Sequence, residues 1–211
     1  MHVTSSTSRR RKLYKSIIKR VFDVFFSLFA LLFFCPLFLV IALLIKLSDG
    51  GPVFYVQERV GLKGRSFKCI KFRTMVVGAE RQLDSLKHLN EASGPVFKIK
   101  NDPRIIKFGK FLRKTSLDEL PQFVNVLKGD MSVVGPRPPL PEEVKKYHLP
   151  YYKRLNVKPG ITCTWQVSGR HKIPFERWME MDLEYIAQEN LGLDLKLIIK
   201  TIIVMFKMSG Q

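Results

Sequence analysis

The sequence predicts a mainly helical α+β membrane protein, with an N-terminal membrane helix-break-helix, a small β-hairpin and amphipathic interfacial helices. Three observations predict it. Residues 24–45 carry no formal charge, and a bilayer core needs about 20 apolar residues to cross. Two strand-like segments, 53–56 and 67–73, flank a glycine-bracketed turn at 61–64. Segments 105–112 and 195–207 alternate apolar residues with lysines at helical spacing, the pattern of helices lying along headgroups, with packing into the core as the alternative for 195–207.

Taken in order, residues 1–14 are polar and basic and are predicted to be disordered. Residues 15–47 form the membrane segment, and 48–211 one compact domain lying on the membrane. Arg9, Arg10, Arg11, Lys12, Lys15, Lys19 and Arg20 precede the apolar run with no acid among them. Such a cluster attracts anionic lipids and marks the cytoplasmic side. The run is too long for a secretory signal, and no small-residue cleavage pattern follows it. Pro36 falls mid-run, where it removes a backbone donor and breaks the helix. Two geometries satisfy that break: a kinked spanning helix, or a re-entrant hairpin returning to the same face. Beyond the two strands, 75–89 reads as a helix, prolines 136, 138, 139 and 141 as a rigid loop, 150–160 as another, and 174–190 as a helix preceding 195–207.

The 211 residues carry 36 Lys+Arg against 18 Asp+Glu, a formal net charge of +18. That excess calls for an anionic partner: nucleic acid, lipid headgroups or phosphorylated small molecules. The three cysteines, Cys35, Cys69 and Cys163, have no CxxC spacing, and the four histidines have no metal-ligand spacing. A disulfide framework and a zinc site are therefore not indicated. The Walker A pattern for phosphate binding is also absent.

Four segments can carry chemistry. Thr115-Ser116-Leu117-Asp118-Glu119-Leu120-Pro121-Gln122 reads as a helix start, with both carboxylates in the first turn and a capping box from Thr115 or Ser116 to Glu119. Positive potential there, with Arg113 and Lys114 beside it, keeps Asp118 ionised and draws in phosphate. An ionised carboxylate can attack phosphorus; the plainer reading is a capping box that only stabilises a helix. Gly135-Pro136-Arg137-Pro138 fixes one guanidinium for a phosphate or a base, or is simply a proline turn. Gln57-Glu58-Arg59-Val60-Gly61 and the strand bearing Lys71 and Arg73 form a weaker signal. Lys158-Pro159-Gly160-Ile161-Thr162, with Trp165-Gln166-Val167-Ser168-Gly169-Arg170, is either a base-stacking platform or a loop corner around a buried Trp.

In this order, Lys-Phe-Arg-Thr-Met (71–75), Ser-Leu-Asp-Glu-Leu-Pro-Gln (116–122), Val-Gly-Pro-Arg-Pro (134–138) and Lys-Pro-Gly-Ile-Thr (158–162) resemble the monotopic phosphoglycosyl transferases, a bacterial sugar transferase family. The similarity runs over about residues 15–208. It implies transfer of a sugar 1-phosphate from a UDP-sugar to polyprenol (undecaprenyl) phosphate at the inner membrane, releasing UMP. This would be the first membrane step of a bacterial glycan, with the catalytic domain on the cytoplasmic face.

By that resemblance Asp118 is the nucleophile that forms a phosphosugar-aspartate, and Glu119 assists. The pair holds Mg2+. Pro136, Arg137 and Pro138 contact uridine, and Lys71, Arg73, Arg113 and Arg170 lie near phosphate or nucleotide. Asp182 is added on the substrate side. The membrane segment becomes re-entrant, although the family's break commonly reads Ser-Pro and here reads Cys35-Pro36. The chain is expected to be the minimal catalytic unit, with homodimerisation and the identity of the sugar left open. Two rivals follow from other features. The +18 charge alone permits a membrane-tethered nucleic-acid-binding protein, but no nucleic-acid motif appears. An inactive scaffold of the same fold would lack the acidic pair, and both acids are present.

Overall fold

The computed structural model describes residues 17–91, 94–97 and 99–207. The predicted disorder over 1–14 lies outside the described residues.

The apolar run forms two helices, α1 (Lys19–Phe33) and α2 (Cys35–Asp49), bent by 60° at Phe34. Pro36 sits in the first turn of α2, where its missing N–H would have no intrahelical partner, so it starts a helix and does not kink one. No single helix among the described residues is long and apolar enough to cross a membrane; the bent pair passes that test together. Phe25, Phe29 and Leu32 of α1 and Leu39, Leu43 and Leu47 of α2 are exposed.

Strands β1 (Phe54–Val60) and β2 (Ser66–Phe72) pair antiparallel, with Phe54 opposite Phe72 and Val60 opposite Ser66. The helix expected over 75–89 is not formed. In its place are a 3-10 turn (Ala79–Gln82), the single-turn α3 (Leu83–Leu86) and another 3-10 turn (Lys87–Leu89). Gly78, at φ 78°, interrupts the start, and Ala79 is the one buried residue in these turns, so no apolar face holds a longer helix in place.

Helix α4 (Lys107–Thr115) leads through a 3-10 turn (Leu117–Glu119) into α5 (Gln122–Lys128). A second two-stranded sheet, parallel and unforeseen in the sequence, joins β3 (Ser132–Val134) to β4 (Gly160–Thr162). Between them lie the single-turn α6 (Pro141–Val144) and a 3-10 segment (Leu149–Asn156). Helices α7 (Thr164–Ser168), α8 (Phe175–Gln188) and α9 (Leu191–Phe206) complete the described chain.

The main core gathers Ala30, Ile41, Ile45, Phe72, Leu112, Val126, Met131 and Val134, so the bent pair and the rest of the chain share one interior. A second cluster forms around Trp165 and Trp178, stacked 4.4 Å apart. Trp165 is buried, which favours the loop-corner reading over an open stacking platform.

Polar bonds tie both ends of the bent pair to that body. In α1, Arg20 donates to the carbonyls of Val126 (2.6 Å) and Leu127 (2.8 Å), which lie near the C-terminal end of α5. Buried Asp23 accepts from Ser132 Oγ (2.9 Å) and the Val133 amide (3.0 Å). Lys19 pairs with Asp194 of α9, which also accepts from Tyr185 at 2.7 Å. At the far end, Asp49 pairs with Arg73 just after β2.

Candidate active site

The acidic pair sits where α4 stops. Ser116 takes the left-handed conformation (φ 58°), which ends the helix and swings the next residues into a 3-10 turn. The expected capping box does not form: no side-chain cap is made at Ser116, and its hydroxyl accepts instead from Arg170 Nη2 at 3.1 Å. Arg170 is itself left-handed (φ 51°). Two strained non-glycine residues therefore brace each other across the turn that carries Asp118 and Glu119. The α-helix proper begins at Gln122, after Pro121.

Helix α4 is drawn tightly onto the exit of β2, since a Cβ at Gly109 would lie 2.3 Å from the Thr74 carbonyl. One turn on, Arg113 Nε reaches Thr74 Oγ1 at 2.9 Å. Lys71, on β2, places its Nζ 2.6 Å from Glu119 Oε1, and Gln166 Nε2 lies 3.3 Å from the other oxygen, Oε2.

On the opposite wall, β3 and β4 approach so closely that a Cβ at Gly160 would lie 2.0 Å from the Gly135 amide. The Gly160 amide bonds the Pro136 carbonyl (2.9 Å), and Arg59 Nη1 bonds the Pro138 carbonyl (3.0 Å). Arg137 is thereby held between two fixed prolines, with its guanidinium 6.0 Å over Trp165. An open cleft of about 240 Å³ is lined by Lys71, Glu119, Arg137 and Pro138 together with Arg59 and Gln166. Pro136 faces a second hollow of about 190 Å³ on the other side of Arg137.

The two acids differ electrically. Asp118 is partly exposed and makes no salt bridge among the described residues. Desolvation by the surrounding protein, with Glu119 beside it, pushes its pKa up to about 6 against the pull of Lys71 and Arg113. Desolvation is the largest influence on Glu119 too, but Lys71, Arg137 and Arg170 together outweigh it and hold the pKa below its usual range. Burial lowers the pKa of both Arg113 and Arg170, which stay cationic because a guanidinium does not deprotonate in a protein.

Two predicted site residues lie elsewhere. Arg73 bonds Asp49 and the carbonyls of Pro52 (2.5 Å) and Met75 (2.9 Å), locking the end of α2 to β2. Asp182 is buried against Arg154 (2.7 Å), beneath the stacked tryptophans. Arg59, Gln122 and Gln166 line the cleft without having been assigned to it. All three fall within the segments singled out, but only the tertiary arrangement of short elements turns them inward.

Among the described residues no group of three or more His, Cys, Asp or Glu is arranged to hold a metal. The donor set of Asp118 and Glu119 nonetheless fits Mg2+, which takes one or two carboxylates and completes its shell with water and substrate phosphate. A carboxylate pair set among Lys71, Arg113, Arg137 and Arg170 defines a site for phosphoryl chemistry on an anionic substrate.

Comparison with known proteins places that chemistry. The family described as bacterial sugar transferase matches residues 14–208. The galactosyl transferase CpsE of Streptococcus agalactiae serotype III is 45% identical over 195 residues, covering 92% of this chain and 43% of CpsE. The exopolysaccharide production protein ExoY of Rhizobium meliloti is 44% identical over 188 residues, 87% of this chain and 83% of ExoY. The UDP-glucose:undecaprenyl-phosphate glucose-1-phosphate transferase of Escherichia coli K12 is 40% identical over 194 residues, 88% of this chain and 39% of that enzyme. The chain thus spans less than half the length of CpsE and of the E. coli enzyme, and most of ExoY. It belongs to the bacterial sugar transferase family.

Proposed function

We propose that this chain transfers a sugar 1-phosphate from a UDP-sugar to undecaprenyl phosphate, as a step in bacterial exopolysaccharide or capsule assembly, through a covalent phosphosugar-aspartate. The observation that carries the reading is the division of labour between the two adjacent acids, Glu119 on the cleft wall and Asp118 next to it in the same turn. Glu119 is fixed by Lys71 and Gln166, while Asp118 beside it makes no ion pair among the described residues and faces a basic surround. The name of the E. coli relative suggests the donor and acceptor classes; CpsE is named for galactose and the E. coli enzyme for glucose, so the sugar is decided by assay.

Lys71, Arg113, Arg137 and Arg170 bind the diphosphate and offset charge that builds at phosphorus. An Asp118 oxygen attacks the sugar-bearing phosphorus, the bond to the bridging oxygen breaks, and UMP leaves with that oxygen. An oxygen of the lipid phosphate then attacks the same phosphorus and regenerates the Asp118 carboxylate. Asp118 and Glu119 would hold Mg2+, which would supply further charge neutralisation.

Insertion as a re-entrant pair at the cytoplasmic face of the inner membrane is supported by its attachments. Arg20 and Asp23 at one end and Asp49 at the other all bind the same body, which a span would place on opposite sides. Each 15-residue arm is about 22 Å long at 1.5 Å per residue. Inserted symmetrically with the 60° bend, the apex lies about 11 Å below the ends, within one leaflet of about 15 Å.

The test is incubation of purified protein in detergent with Mg2+ and a panel of radiolabelled UDP-sugars, without lipid acceptor. UMP release with label on wild type and none on Asp118→Asn is the expected result. No label and no UMP from folded wild type with any donor would overturn the reading.

A further inference from the structure

Helix α7 begins at Cys163 in the N-cap position, which puts Gln166 at the third helical position, where its side chain folds back toward the cap. The Cys163 thiol lies 3.2 Å from Gln166 Oε1, and Gln166 Nε2 lies 3.3 Å from Glu119 Oε2. These two contacts fix which way the amide faces. A thiol donates to the carbonyl oxygen, so the N–H2 end must point at the carboxylate. A flipped amide would set oxygen against oxygen.

Cys163 is 2% exposed, and burial, with Asp182 nearby, raises its thiol pKa to about 12. The S–H donor therefore persists at any physiological pH. The same short helix is tied down a second time, because Arg170 Nε donates to the Gln166 carbonyl at 3.0 Å while its Nη2 holds Ser116.

We propose that Cys163 and Gln166 are positioning residues, the thiol setting the orientation of the Gln166 amide and the amide holding Glu119 in register with Lys71 beside Asp118. Neither is assigned a role by the family match or by any relative. The inference rests on the proposed transferase reading, because its readout is turnover. It predicts an effect on the chemical step and not on donor binding, since neither side chain carries charge to a phosphate.

The experiment is steady-state kinetics of the full chain with undecaprenyl phosphate and whichever of UDP-glucose or UDP-galactose wild type turns over. Loss of a hydrogen bond to a charged group predicts a fall in kcat of about tenfold for Gln166→Leu and for Cys163→Ala. KM for the donor stays within about twofold in both. Cys163→Ser, which keeps an O–H donor, restores most of the rate. Cys163→Ala placed on Gln166→Leu costs nothing further, because the thiol acts only through the amide.

Equal loss in Cys163→Ser and Cys163→Ala, or multiplicative losses in the double variant, would make Cys163 a packing residue and overturn the relay. A rise in donor KM at unchanged kcat would overturn the positioning role of Gln166. If Cys163→Ala does not fold, Cys163→Val, close in shape and without a donor, takes its place in the same comparisons. No turnover by folded wild type of these or any other donor of the UDP-sugar panel would overturn the underlying transferase reading instead, and is told apart by the wild-type control alone.

Discussion

Lys71 Nζ and Glu119 Oε1 meet at 2.6 Å across the cleft, joining the β-hairpin to the acidic turn through an ion pair that leaves Asp118 outside it. Both side chains are about one-fifth exposed, so the pair is open to substrate as well as to itself. On the proposed mechanism an incoming diphosphate competes for the ammonium, and Lys71 passes from the acid pair at rest to the phosphate during reaction.

Lys71→Met should therefore damage rate more than fold. Removal of one preorganised charge at the reacting phosphate lowers kcat by about a hundredfold, while the melting temperature changes little because the pair is partly solvated. Single-turnover UMP release and a thermal melt on the same preparation check both halves. A large drop in melting temperature with normal turnover of the remaining folded protein would reverse the assignment.

Asp118 should titrate near pH 6 in protein free of Mg2+. Its folded pKa is raised above the unfolded value, so its ionisation opposes folding. The penalty is present above pH 6 and fades as the pH falls toward 4. Asp118→Asn is accordingly expected to melt above wild type at pH 8, with the gap closing by pH 4, as happens when an active-site group is held against its own preference. Carbon-13 carboxyl NMR of the wild type follows the titration directly; a midpoint near 4 would remove the basis for both expectations.

The sequence made the hairpin legible because two strand-like segments flank a turn bracketed by Gly61 and Gly64, whereas Asp118-Glu119 before Pro121 alone reads as an ordinary helix start and stood out only in the company of the other three motifs. It did not reveal the left-handed Ser116, whose strain is held by Arg170, more than fifty positions away. The pairing of β3 with β4 was likewise hidden, since each strand is three residues long and is held by partners distant in the chain. Arg73 was misplaced for a related reason. Strand alternation puts Arg73 on the same side as Lys71, but the chain leaves the sheet at Phe72, and the guanidinium turns to Asp49.

That turn gives Arg73 a structural task with its own signature. Arg73 is buried and satisfies the exposed Asp49 and two carbonyls, so Arg73→Ala leaves the carbonyls without their partner and costs about 2 kcal/mol. Donor KM measured on the folded fraction is expected to stay near wild type. A selective rise in KM with unchanged stability would return Arg73 to the substrate.

Gly160→Ala tests the wall that carries Arg137. The added Cβ would sit 2.0 Å from the Gly135 amide, with backbone on both sides and no flexible side chain to yield. Separating β3 from β4 costs about 3 kcal/mol or more and moves the Pro136-Arg137-Pro138 loop, so both urea stability and UMP release should fall. A variant of wild-type stability would mean that the two strands can part without cost.

The topology of the bent pair is decided by which side its ends occupy. Ile17 and Ser48 are exposed and lie at opposite ends of the pair, and Cys35 at the bend is the exposed native thiol among the described residues. In a Cys35→Ser background, Ile17→Cys and Ser48→Cys are each expected to resist a membrane-impermeant maleimide added to intact spheroplasts. Both should label in inside-out vesicles. The reason is energetic: Arg20, Asp23 and Asp49 each bond to the same domain, and a spanning geometry must break one set while carrying buried charge across hydrocarbon. Labelling of one end from outside and the other from inside would show a span, and would require the contacts at one end of the pair to be released in the membrane.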